Sequence, residues 1–373
     1  MIKLLHLADV HLGATFRILG DKGAAQRRQV EETFGRAIDL AIAERVQLVV
    51  IAGDLFDSPQ PASTTVETTA GQLRRLADAG IRVALVAGNH DGTADGLVPA
   101  LEGLRAAHPG LIAFDRTIGV KVLSDLDLTV VGRSADPGTR ASPLTDWPKG
   151  RTTRFAVGLT HGSSFRAGQV EGPGVIHPQE IRALGLDYLA LGDWHSAAQV
   201  LPPPSAAWYA GSPELLAFDQ EGAGHVLLVE LSTPGNAQVT PHRIGRRSYQ
   251  AFELNAGEVD EVAVRRKLDE VADPELFADV VLTGLVPVGR LIDTDLIERE
   301  CGAKFFRLRL LDRAELHLDD AALAALPVET VLGRFVRLMR DRMTTAADES
   351  ERAILAEALQ VGVALLQKKD VLV

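Results

Sequence analysis

Five apolar, strand-like runs of this chain are each followed, directly or after one glycine, by Asp, Asn or His residues. The runs are Ile2–Ala8, Gln47–Ala52, Ile81–Ala87, Arg154–Thr160 and Tyr188–Leu191. Several consist of consecutive Val, Leu and Ile residues, which is typical of strands that are buried on both faces. Amphipathic helical stretches alternate with the strands, so the pattern predicts a layered α/β domain with a largely parallel sheet core. The polar side chains would then meet at the edge of the sheet where open α/β folds bind ligands.

Seven side chains at these strand ends are candidate metal ligands. They are Asp9, His11, Asp54, Asn89, His161, Asp193 and His195. Carboxylate, imidazole and amide groups without a thiolate suit Mn²⁺, Fe or Zn²⁺, whereas a closed structural zinc site more often contains cysteine. This number of ligands is too large for one ion and matches two ions that share a carboxylate, as in enzymes that act at phosphorus. Each motif alone has an ordinary explanation as a turn or a helix cap, and their recurrence at successive strand ends predicts the metal site.

The same residues form ordered motifs that resemble those of the calcineurin-like metallophosphoesterases. The motifs are Asp9-x-His11, Gly53-Asp54-x-x-Asp57, Gly88-Asn89-His90-Asp91, His161-Gly162 and Gly192-Asp193-x-His195. The opening LLHLADVHLG and the stretch YAGSPELLAFDQEGAGHVLLVEL are most similar to the SbcD-type DNA repair exonuclease branch. The resemblance covers most of the chain and implies a layered metallophosphoesterase sandwich, with central sheets flanked by helices.

The resemblance also implies a role for each residue of the motifs. One metal would be held by Asp9, His11, Asp54 and His195, and the second by Asp54, Asn89, His161 and Asp193. Manganese is the expected ion, with Fe or Zn as alternatives. His90 resembles the general acid of the family, Asp91 would orient His90, and Asp57 would brace the loop.

One residue departs from the family motif, which usually reads Gly-His-x-His where this chain has Gly192-Asp193-x-His195. A carboxylate oxygen is still a suitable ligand for Mn²⁺. Its negative charge would weaken the attraction of the site for phosphate oxygens and favour a harder or more highly charged cation. The alternative is that Asp193 is not a ligand and that a water molecule takes its place.

The charge of the chain limits how it can bind nucleic acid. Its 39 Lys and Arg residues stand against 50 Asp and Glu, and the net charge of −11 argues against binding by bulk charge. Residues 1–249 carry 23 basic and 26 acidic residues, which is a net charge of −3. Most of the net negative charge therefore lies in the remaining third of the chain. Local side chains can still hold a substrate, and Arg17, Trp194 and Arg246 are the candidate substrate-binding residues.

The sequence pattern changes near residue 249 and predicts three domains. Residues 1–248 would form the metallophosphoesterase (nuclease) domain, residues 249–316 a small α+β capping domain, and residues 317–373 a helical tail. The tail resembles the segment through which SbcD-type nucleases hold an SbcC-like coiled-coil ATPase, and its apolar stripes suit a partner helix or groove. Packing within the chain would explain the same stripes.

These observations predict a two-metal-dependent phosphodiesterase that hydrolyses DNA, as the exo- or endonuclease of an ATPase–nuclease repair complex that can also form a homodimer. The sequence contains no apolar stretch long enough to span a bilayer, and its single cysteine fits a reducing cytoplasm. A small-molecule phosphodiesterase or phosphatase on the same fold is one alternative, although simpler members of the superfamily lack a second domain. A catalytically weak, metal-bound scaffold for the ATPase is another, although a scaffold has no need of His90 as a general acid.

Overall fold

The chain divides into two units, Met1–Tyr249 and Gln250–Val373. The fold is taken from a computed structural model that describes residues 1–136, 138–149, 152–164, 174–287, 292–317 and 326–366. Each unit contains hydrophobic clusters of its own.

The described residues of the first unit form two six-stranded sheets and four α-helices. In chain order its elements are β1 (Ile2–Leu7), the 3-10 helix Arg17–Lys22, α1 (Gly23–Ala43), β2 (Leu48–Ala52), α2 (Ser63–Asp78), β3 (Arg82–Val86), α3 (Leu101–Ala107), β4 (Ile112–Phe114), β5 (Gly119–Leu123), β6 (Leu128–Arg133), β7 (Phe155–His161), α4 (Pro178–Leu184), β8 (Tyr188–Gly192), β9 (Ala198–Leu201), β10 (Ala206–Tyr209), β11 (His225–Thr233) and β12 (Asn236–Arg243). The strand orders are β12-β11-β1-β2-β3-β4 and β5-β6-β7-β8-β10-β9.

Parallel strands occupy the centre of both sheets, as the sequence predicts. Strands β1 to β4 pair in parallel in the first sheet, and β6, β7, β8 and β10 do so in the second. The outer strands are antiparallel: β11 pairs with β1, β12 with β11, β5 with β6, and β9 with β10. Successive parallel strands therefore deliver their carboxyl ends to the same edge of each sheet.

Successive side chains along each strand of the first unit face opposite sides of the sheet, and this alternation produces the layers of the unit. Leu4 and Val50 face the second sheet and pack against Val157, which forms a core between the two sheets. Leu5 faces the opposite way and packs in a cluster with Phe34 of α1. A buried side chain of this size contributes about 1.5–3 kcal/mol. Helices α1, α2 and α3 cover the first sheet and α4 covers the second, which confirms the predicted sandwich of central sheets flanked by helices.

The second unit combines a small α+β part with two long helices. Its elements are β13 (Ser248–Asn255), which begins in the first unit, α5 (Glu261–Glu270), β14 (Leu276–Thr283), β15 (Leu285–Pro287), α6 (Thr294–Cys301), the 3-10 helix Gly302–Lys304, β16 (Arg307–Asp312), β17 (Glu315–His317), α7 (Val331–Thr344) and α8 (Glu349–Leu366). Strands β13, β14 and β16 form one sheet, and β15 pairs with β17. The α5 and α6 helices begin where Asp260 and Asp293 accept backbone N–H groups, as N-cap residues do.

The carboxyl-terminal helices pack against each other through part of their apolar surface. Val336 and Met339 of α7 are buried with Leu359 and Val363 of α8. Thr330 caps α7, and a short non-helical segment separates the two helices, so the tail is a helical hairpin. Residues 318–325 and 367–373 of the predicted tail lie outside the described residues. In the part of the chain that the structure describes, no helix combines the length and the apolarity needed to cross a membrane.

Candidate metal centre

The two sheets of the first unit bring all the predicted ligands to one edge. Asp9 and His11 follow β1, Asp54 follows β2 and Asn89 follows β3 in the first sheet, whereas His161 ends β7 and Asp193 and His195 follow β8 in the second. Ligand atoms lie within 4.8 Å of one another in three groups: Asp9 with His11 and His195, Asp9 with Asp54 and His161, and His11 with Asp57 and His90. The site is therefore shared between the sheets.

Asp54 lies between the two histidines that come from different sheets. Its Oδ2 atom is 3.6 Å from Nε2 of His11 and 3.5 Å from Nε2 of His161. Its Oδ1 atom accepts the backbone N–H of His90 at 2.9 Å, which fixes the orientation of the carboxylate. This is the position that a carboxylate shared by two cations would occupy.

Two buried ligand atoms have no hydrogen-bond partner. They are Oδ2 of Asp9 and Nε2 of His11, and both side chains are almost fully buried. A buried polar atom without a partner is costly, and a cation is the partner that both a carboxylate oxygen and an imidazole nitrogen accept. The donor set and these two atoms fit a divalent metal.

Neighbouring groups orient the histidines of the site. Asp57 Oδ1 lies 3.1 Å from Nδ1 of His11, and the carbonyl oxygen of Ala52 lies 3.0 Å from Nδ1 of His161. A proton on each Nδ1 leaves Nε2 as the atom that is available to a metal. Nε2 of His161 also lies 2.7 Å from Oδ1 of Asn89, so the amide oxygen is within the same group of atoms.

Asp193 is held at the site by contacts on three sides. Its N–H donates to Oδ1 of Asp9 at 3.0 Å, and Ser163 Oγ donates to its Oδ2 atom. Its Oδ1 atom is 3.8 Å from Nε2 of His161, and its side chain is 30% exposed. The carboxylate that replaces the usual histidine thus lies beside the second set of ligands, outside the three tightest groups.

His195 receives a hydrogen bond from a residue that sequence reasoning missed. Oε1 of Gln220 accepts the N–H groups of Leu216 and Ala217 at 3.1 and 3.2 Å, which directs Nε2 of Gln220 to Nδ1 of His195 at 2.8 Å. The amide therefore donates to Nδ1. Burial and the charge of His11 lower the pKa of His195 to about 4, so the imidazole is neutral at pH 7.

The backbone at the ligands is strained. Asp9, His11 and Asp54 have φ values of 52°, 53° and 49°, which is the left-handed region that side chains other than glycine seldom adopt. Such strain is concentrated at functional sites. Gly88, which precedes Asn89, is required for a different reason: a Cβ atom there would lie 2.0 Å from Oδ1 of Asp54.

Burial changes the proton affinity of the ligands. It raises the pKa of Asp9 to about 7, because a carboxylate charge is unfavourable where water is excluded. Burial lowers the pKa of His11 and of His161, but nearby carboxyl groups, Asp54 and Asp9 among them, outweigh this effect and raise both pKa values overall. The raised proton affinity of these three ligands opposes cation binding.

His90 and Asp91 lie on the same loop but contact different partners. His90 is 48% exposed, with Nδ1 4.0 Å from Asp57 Oδ1, and its ring centroid is 4.7 Å from that of His11. Asp91 is buried and accepts the N–H groups of Gly88 at 2.8 Å and Phe56 at 3.2 Å. The carboxylate near His90 is thus that of Asp57, and Asp91 braces the backbone around the ligands.

The predicted substrate-binding residues are exposed. Arg17 lies on the 3-10 helix Arg17–Lys22, and Arg246 follows β12, where its N–H donates to buried Glu214. Trp194 is 42% exposed and lies between Asp193 and His195 in the sequence. All three side chains are therefore in contact with solvent.

Comparison with known proteins extends the similarity across most of the chain. A family model described as calcineurin-like phosphoesterase matches residues 2–228. The DNA double-strand break repair protein Mre11 of Aeropyrum pernix is 30% identical over 296 residues, which are 73% of this chain and 68% of that protein. The Mre11 protein of Halobacterium salinarum is 27% identical over 342 residues, 86% of this chain and 80% of that protein. The uncharacterized metallophosphoesterase YhaO of Bacillus subtilis is 25% identical over 62% of this chain and 58% of that protein.

Proposed function

The chain belongs to the calcineurin-like phosphoesterase family, in its SbcD/Mre11 branch, and on this premise we propose that it is a two-metal-dependent phosphodiesterase that hydrolyses DNA. The observation that carries the proposal is the set of ligands from both sheets around two buried atoms, in Asp9 and His11, that lack a hydrogen-bond partner. The similarity to proteins named for DNA double-strand break repair favours DNA as the substrate.

The ligands would divide into two sets that share Asp54. The first set would be Asp9, His11, Asp54 and His195, and the second Asp54, Asn89, His161 and Asp193. The proximity of Asp54 to both His11 and His161 supports this division. Mn²⁺ suits this mixture of oxygen and imidazole ligands. Two bound cations would supply an activated water and neutralise the charge on the phosphate oxygens.

His90 would donate the proton that the leaving oxygen needs. Its side chain is half-exposed at the edge of the site, and Asp57 lies near its Nδ1 atom, which leaves Nε2 for the substrate. A positioned general acid contributes about 10²–10⁴-fold to the rate. Asp57, which also contacts His11, would fix the position of His90 relative to the first set of ligands.

DNA cleavage by purified protein in Mn²⁺ tests the function. Wild-type protein should degrade linear DNA, and His90→Ala should lower the rate about 10²–10⁴-fold without changing the metal content. His242→Ala, which removes a half-buried histidine from β12, is the matched control and should cleave normally. Cleavage of bis-p-nitrophenyl phosphate without cleavage of DNA would favour the small-molecule alternative. Cleavage of neither substrate with any divalent metal would favour the scaffold.

The role of Asp193 has a separate test. If its carboxylate is a ligand, Asp193→Ala should lower the bound Mn²⁺ measured by native mass spectrometry from two ions per chain to one. Ser163→Ala removes the hydroxyl that donates to Asp193 and should weaken the second ion to a smaller extent. Two ions retained at full affinity in Asp193→Ala would show that water takes this position.

DNA would be held by exposed side chains of the first unit. Arg17 and Arg246 would contact phosphates, and Trp194 would stack on a base, a contact worth about 1–3 kcal/mol. The net acidity of the chain makes these local contacts necessary.

The helical hairpin would bind the coiled coil of an SbcC-like ATPase. Val331 and Leu338 of α7, and Ile354 and Leu365 of α8, are exposed apolar residues that the hairpin does not bury. An amphipathic helix of the partner would cover this surface. In this assignment residues 1–248 are the nuclease domain, 249–316 the capping domain and 317–373 the partner-binding segment, and the complex, with or without homodimerisation, works in the cytoplasm.

A further inference from the structure

The candidate ligand His195 is oriented by a loop. Residues 214–220 (the 214–220 loop) lie between β10 and β11 and end at Gln220, whose amide donates to Nδ1 of His195 at 2.8 Å. The N–H groups of Leu216 and Ala217 donate to the oxygen of the same amide. The amide can therefore turn over only if the loop gives up both of these hydrogen bonds.

The start of the loop is fixed by a buried carboxylate. Glu214 is 1% exposed, and its oxygens accept the N–H groups of Arg246 and Arg247, each at 2.9 Å. Nε of Arg247 also donates to Oε1 of Gln26 on α1, and Nε2 of Gln26 donates to the carbonyl oxygen of Leu215. A buried carboxylate is costly without its donors, so the start of the loop is held against residues 246–247.

The end of the loop is fixed by an aromatic residue that comes from the same part of the chain. The hydroxyl of Tyr249 donates to Oδ1 of Asp219 at 3.0 Å, and its ring packs edge-on against Phe218, with the ring centroids 6.2 Å apart. Asp219 directly precedes Gln220 and has a φ of 65°, in the left-handed region. A residue other than glycine keeps this conformation where its surroundings hold it, so the contact with Tyr249 shapes the turn that presents Gln220.

Both anchors belong to one short segment, Arg246–Tyr249, with which the chain leaves the first unit. That unit ends at Tyr249, and β13 begins at Ser248 and continues to Asn255. Hydrogen bonds therefore connect the beginning of β13 to the 214–220 loop, and the loop to the ring of His195.

We propose that the segment Arg246–Tyr249 restrains His195 through the 214–220 loop, and that Tyr249 and Glu214 are its positioning residues. This role rests on the proposed function, since it takes His195 as a ligand of the first set. A metal at Nε2 of His195 requires the ring proton on Nδ1, where the donating amide of Gln220 opposes it. The amide must then turn over, and the anchored loop resists the movement. The segment thus sets how readily the first cation is bound.

Binding of Mn²⁺ by the full chain, measured by calorimetry, tests this role. Tyr249→Phe removes only the hydroxyl that donates to Asp219, so the amide of Gln220 should turn over more easily. The affinity for Mn²⁺ should rise about threefold, as expected for the loss of one restraining hydrogen bond. Thr283→Val is the matched control, because it removes a hydroxyl that donates to the carboxylate of Glu253 on β13, and it should bind Mn²⁺ as the wild type does.

A double-mutant cycle distinguishes this restraint from a general loosening of the fold. In Gln220→Ala the amide is absent, so adding Tyr249→Phe should leave the Mn²⁺ affinity unchanged. An unchanged or weaker affinity in Tyr249→Phe alone would overturn the proposal, as would an equal gain in the Gln220→Ala background. Failure of the Mn²⁺-loaded wild type to hydrolyse any phosphodiester would reject the proposed function but leave these comparisons of binding intact.

Discussion

Asp57 and His11 are joined by a contact of 3.1 Å between Oδ1 and Nδ1. Asp57 lies in the same loop as the ligand Asp54, after β2, whereas His11 follows β1. The residue that orients His11 therefore comes from the neighbouring strand of the sheet. The contact leaves Nε2 of His11 as a buried atom that only a cation would satisfy. Asp57 is therefore part of the metal centre without being one of the predicted ligands.

Replacement of Asp57 should weaken metal binding. In Asp57→Ala the His11 ring loses the acceptor that fixes its tautomer, and loss of such an outer partner typically costs about 10–100-fold in metal affinity. Titration with Mn²⁺ measures the change. Asp39→Ala removes an exposed carboxylate that pairs with Arg75 on the helical side of the first sheet, and it should bind metal normally. Equal affinities for the two variants would mean that Asp57 does not orient His11.

Replacement of Gln220 by Glu should have the opposite effect. The amide donates to Nδ1 of His195, so the neutral ring carries its proton on Nε2 and has to move that proton to Nδ1 when Nε2 binds a metal. A carboxylate would accept from Nδ1 instead and free Nε2 for a metal, so we expect Gln220→Glu to bind Mn²⁺ about tenfold more tightly. Gln199→Glu, on β9, adds the same charge at an exposed position and is the control. Weaker binding in Gln220→Glu would contradict the direction of this hydrogen bond.

Metal affinity should rise with pH in the range where the ligands lose their protons. The pKa of Asp9 is raised to about 7, and those of His11 and His161 are also raised. Below these values a cation must displace protons, so the apparent affinity should increase from about pH 6 to about pH 8 and then level off. Calorimetry in buffers of different ionisation enthalpy counts the protons released, and more should be released at the lower pH. Asp9→Asn removes one of the titrating groups and should make the dependence shallower.

Gly88→Ala should disrupt the centre through a single added methyl group. The new Cβ would lie 2.0 Å from Oδ1 and 2.7 Å from the backbone nitrogen of Asp54, so the loop that carries the shared ligand must move. We expect a loss of about 1–3 kcal/mol in the free energy of unfolding and a marked loss of metal affinity. Gly71→Ala is a matched control, since a Cβ there meets nothing within 4 Å in α2, and it should stabilise the helix. Chemical denaturation and Mn²⁺ titration of both variants give the answer.

The hairpin surface that we propose as the ATPase-binding site can be altered separately from the interior of the hairpin. Leu338 is 55% exposed whereas Val336 is 1% exposed, although they are two residues apart on α7. Leu338→Asp should abolish binding to the coiled-coil partner and leave the helical content of the chain unchanged. Val336→Asp places a charge in the packed interface and should unfold the hairpin. Partner binding retained in Leu338→Asp, measured by co-purification, would remove this surface from the interface.

The strand ends could be predicted from the sequence because a continuous apolar run stops where a ligand begins. Asp9 and Asp54 illustrate this, since each directly follows a buried strand or its closing glycine. The sequence does not reveal that β10 and β11, which follow each other along the chain, belong to different sheets. Strand pairing depends on contacts between distant residues, which local patterns do not contain.

Contacts that loop residues make with distant residues could not be predicted from the sequence for the same reason. Gln220 lies 25 residues from His195, and nothing in its neighbourhood indicates that its amide reaches the ring. Asp91 looks like a partner for the adjacent His90, but burial directs its oxygens to the N–H groups of Gly88 and Phe56. Adjacent residues on a turning backbone point in different directions, so proximity in sequence is a poor guide there.

The origin of the ligands in two separate sheets gives the metal centre a mechanical role. Asp54 projects from one layer and His161 from the other, and further from this edge the layers are joined by hydrophobic packing and by a contact of 2.8 Å between His6 and Tyr188. Cations bound between the two sheets would hold them together at this edge. Removal of the cations by a chelator should then increase amide-proton exchange first at the carboxyl ends of β2 and β7. The edge of the sheets at which the substrate would be hydrolysed would thus also be the edge that the bound cations stabilise.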